Sequence, residues 1–234
     1  MSPRVAPQPP QSQPHPVASV GPSVTARVIA FAVASDGLSV ALLRDSDSLA
    51  LPAGELRPGE TLSNCAERIA LDAFAAPPDY MEQLYTFSLP TPYGAVSVAY
   101  FALLAANTRA AVQRTPRVQF VHVDAGAQMT RGMEGAMLEY ATTRLRAKLG
   151  YSNVAFYFLP REFTLSELQD VYEATLGRSL DKRNFRRRIL AAGLVESVGA
   201  KRSGTNYRPA TLYRFSGGDP ATGALTPIET EWSS

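Results

Sequence analysis

Lys182, Arg183, Arg186, Arg187 and Arg188 crowd into one short stretch, DKRNFRRRILAAG (residues 181–193), whose only acid is Asp181 at its start. Cations at this density bind polyanions. They neutralise phosphates, and arginine forks also pair with base edges in the major groove of DNA. A charge run alone is more often a solvated helix face, so its surroundings must decide.

The surroundings predict a helix that has to be held in one orientation. Asp181 is a suitable N-cap, Leu180 and Phe185 form a hydrophobic staple, and Gly193 ends the helix. Phe185, Ile189 and Ala192 fall on one buried stripe, which leaves Lys182, Arg183, Arg186 and Arg187 facing outward. Arg188 lies nearer the stripe and is placed to brace a neighbouring element. Asn184 has two readings, an adenine-reading amide or an ordinary residue of a first turn. Upstream, TLSE (Thr164–Glu167) is a capping box with Phe163 and Leu168 as its staple. Leu165, Leu168, Val171, Tyr172 and Leu176 follow at helical spacing, and Gly177 stops that helix. Two helices with a tight turn, the second basic, make a helix-turn-helix. Strand-like runs at 194–198 and 211–215 then flank GAKRSGTNYRPA, a hairpin tip whose Lys201, Arg202 and Arg208 suit a DNA-contacting wing or, more plainly, a solvated loop.

Charge separates this module from the rest. Residues 151–215 hold 11 Lys and Arg against 6 Asp and Glu, a net of +5; residues 1–150 hold 12 of each, and 216–234 hold three acids and no base. The overall +2 therefore hides a basic module beside a neutral one, and such a charge drives association with a polyanion. Segments 1–23 (rich in Pro, Gln and Ser) and 216–234 are expected to be a disordered arm and a flexible tail. The arm lacks the apolar core of a signal peptide, and no run is long and apolar enough for a membrane span. The lone Cys65 excludes an intrachain disulfide, fits a reducing cytoplasm, and reads as a buried structural thiol. With only His15 and His122, a histidine-rich metal site is not expected.

The neutral part predicts a mixed α/β domain over residues 24–150. Strands are expected at 28–33, 38–43, 84–87, 96–104 and 118–123, and helices at 62–74 and 134–149. A linker near 151–161 joins it to the winged helix-turn-helix, and the apolar run VAFYFL within it could pack on either domain.

LPAGELRPGETLSNCAERIALDAFA, residues 51–75, resembles the Nudix box, G-x5-E-x7-R-E-U-x-E-E-x-G-U with U aliphatic. Gly54, Glu60 and Arg68 match in register, as do Leu51-Pro52 and Gly59. The catalytic positions depart: Ile69 stands where a Glu is expected, Asp72-Ala73 where a Glu pair is expected, and Ala75 where Gly is expected. Nudix enzymes hold a divalent metal on clustered helix carboxylates to cleave diphosphates. Positions 69, 72 and 73 share one helix face, and one carboxylate cannot assemble that cluster. Asp72 is expected to pair with Arg68 instead, and neither catalytic nor metal-binding residues are expected.

A degenerate Nudix domain followed by a basic winged helix resembles the Nudix-related transcriptional regulators of NAD metabolism, the NrtR-like family. MEQLYTFSLPTPYGAVSVAYFALL (81–104), LGYSNVAFYFLPREFTLSELQDVYEATLGRSLDKRNFRRRIL (149–190) and RPATLYRF (208–215) carry the likeness, which spans about residues 24–215. The resemblance implies an α+β fold: a Nudix α/β/α sandwich with a C-terminal winged helix-turn-helix. It implies a dimeric, cytoplasmic DNA-binding repressor whose Nudix domain senses ADP-ribose or a related nucleotide or sugar as effector, with no cofactor. Carried onto this chain, DNA contacts come from Lys182, Arg183, Asn184, Arg186, Arg187, Lys201, Arg202 and Arg208 on a double-stranded operator. Arg44, Glu55, Arg57, Arg68 and Tyr85 are ligand candidates by position near the box. Two other readings compete: an active diphosphate hydrolase with an accessory winged helix, and a protein-interaction adaptor.

Overall fold

The longest apolar strands of this chain are buried on both faces, and that sets its layering. In β1 (Ser23–Ala34) the residues Val28, Ala30 and Ala32 face one side of a sheet while Ile29 and Phe31 face the other, all fully buried. β6 (Ala95–Leu104) does the same with Val98, Tyr100, Ala102 and Leu104 against Ala99, Phe101 and Leu103. Side chains of a strand alternate between faces, so a doubly apolar strand needs a layer on each side. The computed structural model describes residues 23–45, 48–89, 95–130, 132–202 and 210–217.

The sheet runs β3 (Ser48–Ala50), β2 (Gly37–Asp45), β1, β6, β5 (Tyr80–Leu89), with β4 (Ala53–Glu55) on β1 and β7 (Val118–His122) on β2. β1 and β6 are parallel and the other pairs antiparallel. Helix α1 (Leu62–Phe74) covers one face with Ala66, Ile69, Ala70, Ala73 and Phe74. α4 (Glu134–Lys148) covers the other with Met137, Leu138, Ala141 and Leu145. Two short helices, α2 (Ala106–Val112) and α3 (Val123–Met129), flank β7. The Glu134 carboxylate pins the start of α4 to the sheet: it accepts from the Leu51 amide at 2.9 Å and pairs with Arg27 Nε at 3.3 Å. This is an α/β/α sandwich.

The second unit follows through a 3-10 turn, Val154–Phe158. Its core helices are α5 (Leu165–Leu176) and α6 (Lys182–Ala191), and its wing is the antiparallel pair β8 (Val195–Arg202) and β9 (Ala210–Phe215). Phe163 bridges to Tyr213 as a further short rung of that sheet. The linker's apolar run packs on both units. Phe156 lies 5.7 Å from Phe163 and 4.4 Å from Phe215, ring to ring, while Tyr157 lies 4.6 Å from Tyr80 of β5. One continuous buried cluster consequently runs from Ile29 and Phe31 through Phe156 and Tyr172 to Phe185 and Ile189. Of the expected arm and tail, residues 1–22 and 218–234 lie outside the described residues, and Ser23 opens β1. No helix among the described residues is long and apolar enough to cross a membrane.

Candidate nucleic-acid interface and ligand cleft

α6 is aimed by its caps and its buried stripe. The Asp181 carboxylate accepts from the Asn184 amide at 2.8 Å. Phe185 and Ile189 are fully buried, Phe185 stacking edge-on with Tyr172 of α5 at 5.5 Å. α5 begins with the capping box read from TLSE: the Glu167 amide donates to Thr164 Oγ1 at 3.2 Å and the Thr164 amide to Glu167 Oε2 at 2.7 Å. It ends at Gly177, whose φ of +70° is a left-handed C-cap. The outward face of α6 is then fixed by subtraction.

On that face Lys182, Arg183, Asn184, Arg186 and Arg187 are all exposed. Arg187 donates to the Asn184 side chain at 3.1 Å and Arg186 to Ser166 Oγ at 3.2 Å. Arg188 is half-buried, as its place beside the stripe implies. Arg202 differs from the helix cations because it already has an acid. Its guanidinium pairs with Glu167 and donates to the Glu162 carbonyl at 3.1 Å, tying the wing to the start of α5. Lys201 lies at the end of β8, and Arg208 falls outside the described residues.

The box folds as a loop clamped onto α1. Glu60 takes a bidentate pair from Arg68, Nε to Oε1 at 2.8 Å and Nη2 to Oε2 at 2.9 Å, and accepts from the Arg57 amide at 3.1 Å. Arg68 also donates to the Glu55 carbonyl at 3.0 Å. The Arg68 guanidinium, helped by the Arg57 amide, holds the Glu60 carboxyl down to about 2, and Glu60 in turn raises Arg68 above the ordinary arginine range. The ion pair of Arg68 with Asp72 expected from helical spacing is not formed; Arg68 pairs instead through Nε and Nη2 with Glu60 of the preceding loop. Cys65 is buried, and burial followed by the nearby Glu60 charge pushes its thiol up, away from nucleophile chemistry.

A cavity of about 310 Å³ opens beside this helix, lined by Pro52, Arg68, Ile69, Asp72, Thr115 and Arg117 among others. Of the ligand candidates taken from position, Arg68 alone lines it. Glu55 and Arg57 are exposed on the clamped loop. Arg44 alternates with Leu43, a residue of the α1 side, and its guanidinium donates to Gln119 at 2.7 Å. Tyr85 packs on Phe87 and on Tyr140 of α4, on the far side of the sheet. Arg117 and Asp72 are the cleft residues that position along the chain did not suggest. Arg117 enters through the pairing of β7 with β2, where Leu43 opposes Val118, and no local pattern encodes that pairing. A second cavity, about 670 Å³, lies on the other flank of α1 between Asn64, Glu67, Arg68 and Leu71 and the Tyr80–Gln83 stretch of β5. A third, about 910 Å³, lies between the two units, lined by Asp36, His122, Asp124 and Arg146 on one side and Asp170 and Glu173 of α5 on the other. Burial, then Glu173 and Glu167, raise the Asp170 carboxyl there.

The residues around the box do not fit a multi-carboxylate metal centre. Ile69, Asp72 and Ala73 share the face where such a centre would sit, Ile69 is nearly fully buried, and a Cβ added at Gly54 would come within 3.0 Å of it. No group of three or more His, Cys, Asp or Glu residues among the described residues could hold a metal ion.

Comparison with known proteins places both units. Residues 155–215 match the family model described as the NrtR DNA-binding winged helix domain. A protein of Acinetobacter baylyi named ADPR responsive transcriptional repressor NtrR is 31% identical over 208 residues, covering 83% of this chain and 82% of its own length. The crystal structure of Shewanella oneidensis NrtR complexed with a 27mer DNA superposes with a TM-score of 0.76 at 29% identity, covering 87% of this chain and 98% of that one. A MutT/nudix family protein from Enterococcus faecalis, at 20% identity and a TM-score of 0.62 over 83% of this chain and 88% of its own, shares the fold.

Proposed function

The chain belongs to the NrtR family of Nudix-related transcriptional regulators, and on that premise we propose that it is an ADP-ribose-responsive repressor. Its winged helix binds double-stranded operator DNA and its Nudix sandwich is the sensor. The observation that carries this reading is the α6 face: five exposed polar or basic side chains, Lys182, Arg183, Asn184, Arg186 and Arg187, on a helix that caps and core contacts hold in one orientation. The basic side chains among them suit phosphates and guanine edges, and the Asn184 amide suits adenine. Two copies would set their α6 helices in successive half-sites of a palindromic operator.

The effector acts by binding the DNA-bound and free states with different affinity. ADP-ribose or a closely related nucleotide sugar is the proposed effector, because the relative from Acinetobacter baylyi is ADPR responsive. We place the protein with the cytoplasmic regulators and not with the diphosphatases. Hydrolysis would need clustered carboxylates where this chain has Ile69 and Ala73.

The test is binding of the purified protein to labelled duplexes from its own promoter region and neighbouring genes, with and without ADP-ribose, against a scrambled duplex. Nanomolar selective binding that ADP-ribose weakens is the expected outcome. Equal affinity for every duplex would refute the regulator, and magnesium-dependent release of AMP from ADP-ribose would restore the enzyme.

A further inference from the structure

We infer that the cleft beside α1 binds the diphosphate of its ligand without a metal ion, with the guanidinium of Arg117 as its charge partner. This rests on the reading of the sandwich as a nucleotide-sugar sensor.

Three observations carry it. The helix face that would present metal ligands offers one carboxylate, Asp72, flanked by apolar Ile69 and Ala73, and Ile69 is packed into the space against Gly54. A dianionic ligand in that cleft needs positive charge from elsewhere. Arg68 brings little net charge, since its Nε and Nη2 are bonded to Glu60 and the pair is neutral as a unit. Arg117 can: it lines the same cavity as Asp72 and Ile69, it is exposed, and no ion pair with an acid forms at it among the described residues. The sequence around it also lacks acids altogether, since residues 83–123 contain Arg109, Arg114 and Arg117 and neither Asp nor Glu. The cleft edge is therefore a basic segment of which Arg117 lines the cavity. A planar fork matches phosphate oxygens bidentately. Arg68, held by its pair with Glu60, lines the same cavity.

The experiment is calorimetric titration of the full chain with ADP-ribose and, separately, with inorganic pyrophosphate, in EDTA and in excess magnesium, for the native protein and for Arg117→Gln. Binding of both ligands in EDTA is expected, unchanged by magnesium within about twofold, and weakened in Arg117→Gln by about tenfold or more. Arg114→Gln is the control, because its guanidinium is turned back onto the Ala110 carbonyl, and it should bind as the native protein does. Pyrophosphate binding that depends on Arg117 in EDTA while ADP-ribose fails to bind would keep the metal-free cleft and refute ADP-ribose as the effector. Binding only in magnesium, unchanged affinity in Arg117→Gln, or no binding of pyrophosphate would overturn the inference.

Discussion

Arg183 and Arg202 carry the same charge and stand in opposite situations, and that contrast gives a quantitative prediction. Arg183 sits in the first turn of α6, exposed, with no acid against it among the described residues. Arg202 is already paired with Glu167 and bonded to the Glu162 carbonyl. Each phosphate neutralised by a cation contributes about 0.9 to the slope of log affinity against log salt. With the proposed two copies on one operator, Arg183→Ala removes two such contacts and lowers the slope by about 1.8. Raising salt from about 50 to about 200 mM then costs the native protein about tenfold more affinity than it costs the variant. Arg202→Ala removes a cation whose charge is spent inside the protein, so its slope should stay within about 0.3 of native. Its stability should fall by less than about 1 kcal/mol, because the pair is solvent-exposed. Fluorescence anisotropy on a labelled operator across that salt range, with circular dichroism to establish folding, reads all three quantities. Equal slopes for Arg183→Ala and native protein would refute the placement of α6 at the phosphates. A slope for Arg202→Ala as low as that for Arg183→Ala would show that DNA breaks the Glu167 pair.

Three further outcomes follow from the geometry. Ala75 closes α1 in the left-handed region at φ +54°, a strained conformation for any residue with a Cβ, so Ala75→Gly should raise stability by roughly 0.5–1 kcal/mol in urea denaturation. Glu60 has its carboxyl held near 2 against an ordinary 4.5. Its contribution is therefore complete above about pH 4.5 and is lost as pH falls from there towards 2. Glu60→Gln should melt below native at neutral pH and converge with it in acid, and parallel melting curves across that window would exclude the clamp. Phe185 is fully buried against Tyr172, and Phe185→Ala should cost about 3–5 kcal/mol and abolish operator binding, measured by denaturation and anisotropy on the same sample.

The parts of the fold that were legible in the sequence are those specified by neighbours in the chain. Thr164 with Glu167, Asp181 with Asn184, and Gly177 place the ends of α5 and α6 because capping is settled within a few residues. The apolar runs at 28–33 and 96–104 were legible as strands for the same reason, whereas their burial on both faces shows only with α1 and α4 in place. What was not legible depends on distant pairing. β3 and β4 are three residues each, too short to show alternation, and are strands only because β2 and β1 lie alongside. α2 and α3, seven residues each, carry too little periodicity to register. Arg68 was assigned to Asp72 because helical spacing brings positions 68 and 72 together. The loop folding back over α1 offers Glu60 with better bidentate geometry, and a loop's return path has no sequence period. Tyr85 and Arg117 exchange places for a related reason. Nearness to the box along the chain favours Tyr85, whereas sheet registry turns Tyr85 towards α4 and brings Arg117 to α1.

The packing between the two units bears on how a signal could travel. Phe156 is wedged against Phe163 and Phe215, Tyr157 rests on Tyr80, and Arg146 of α4 donates to the Thr175 carbonyl of α5 at 2.9 Å. The winged helix is thereby packed into the same buried cluster as the α4 face of the sheet. The cleft with Arg117 opens on the α1 face, across the sheet from that joint. A ligand there touches neither α5 nor the linker, and a close-packed core resists gradual bending. Under the proposed two-copy arrangement, the economical response is a rotation of one whole subunit against the other, carrying each α6 with its own sandwich and changing the distance between the two helices. A few ångströms of mismatch with the half-site spacing would remove one helix from its groove while leaving each subunit's internal structure unchanged.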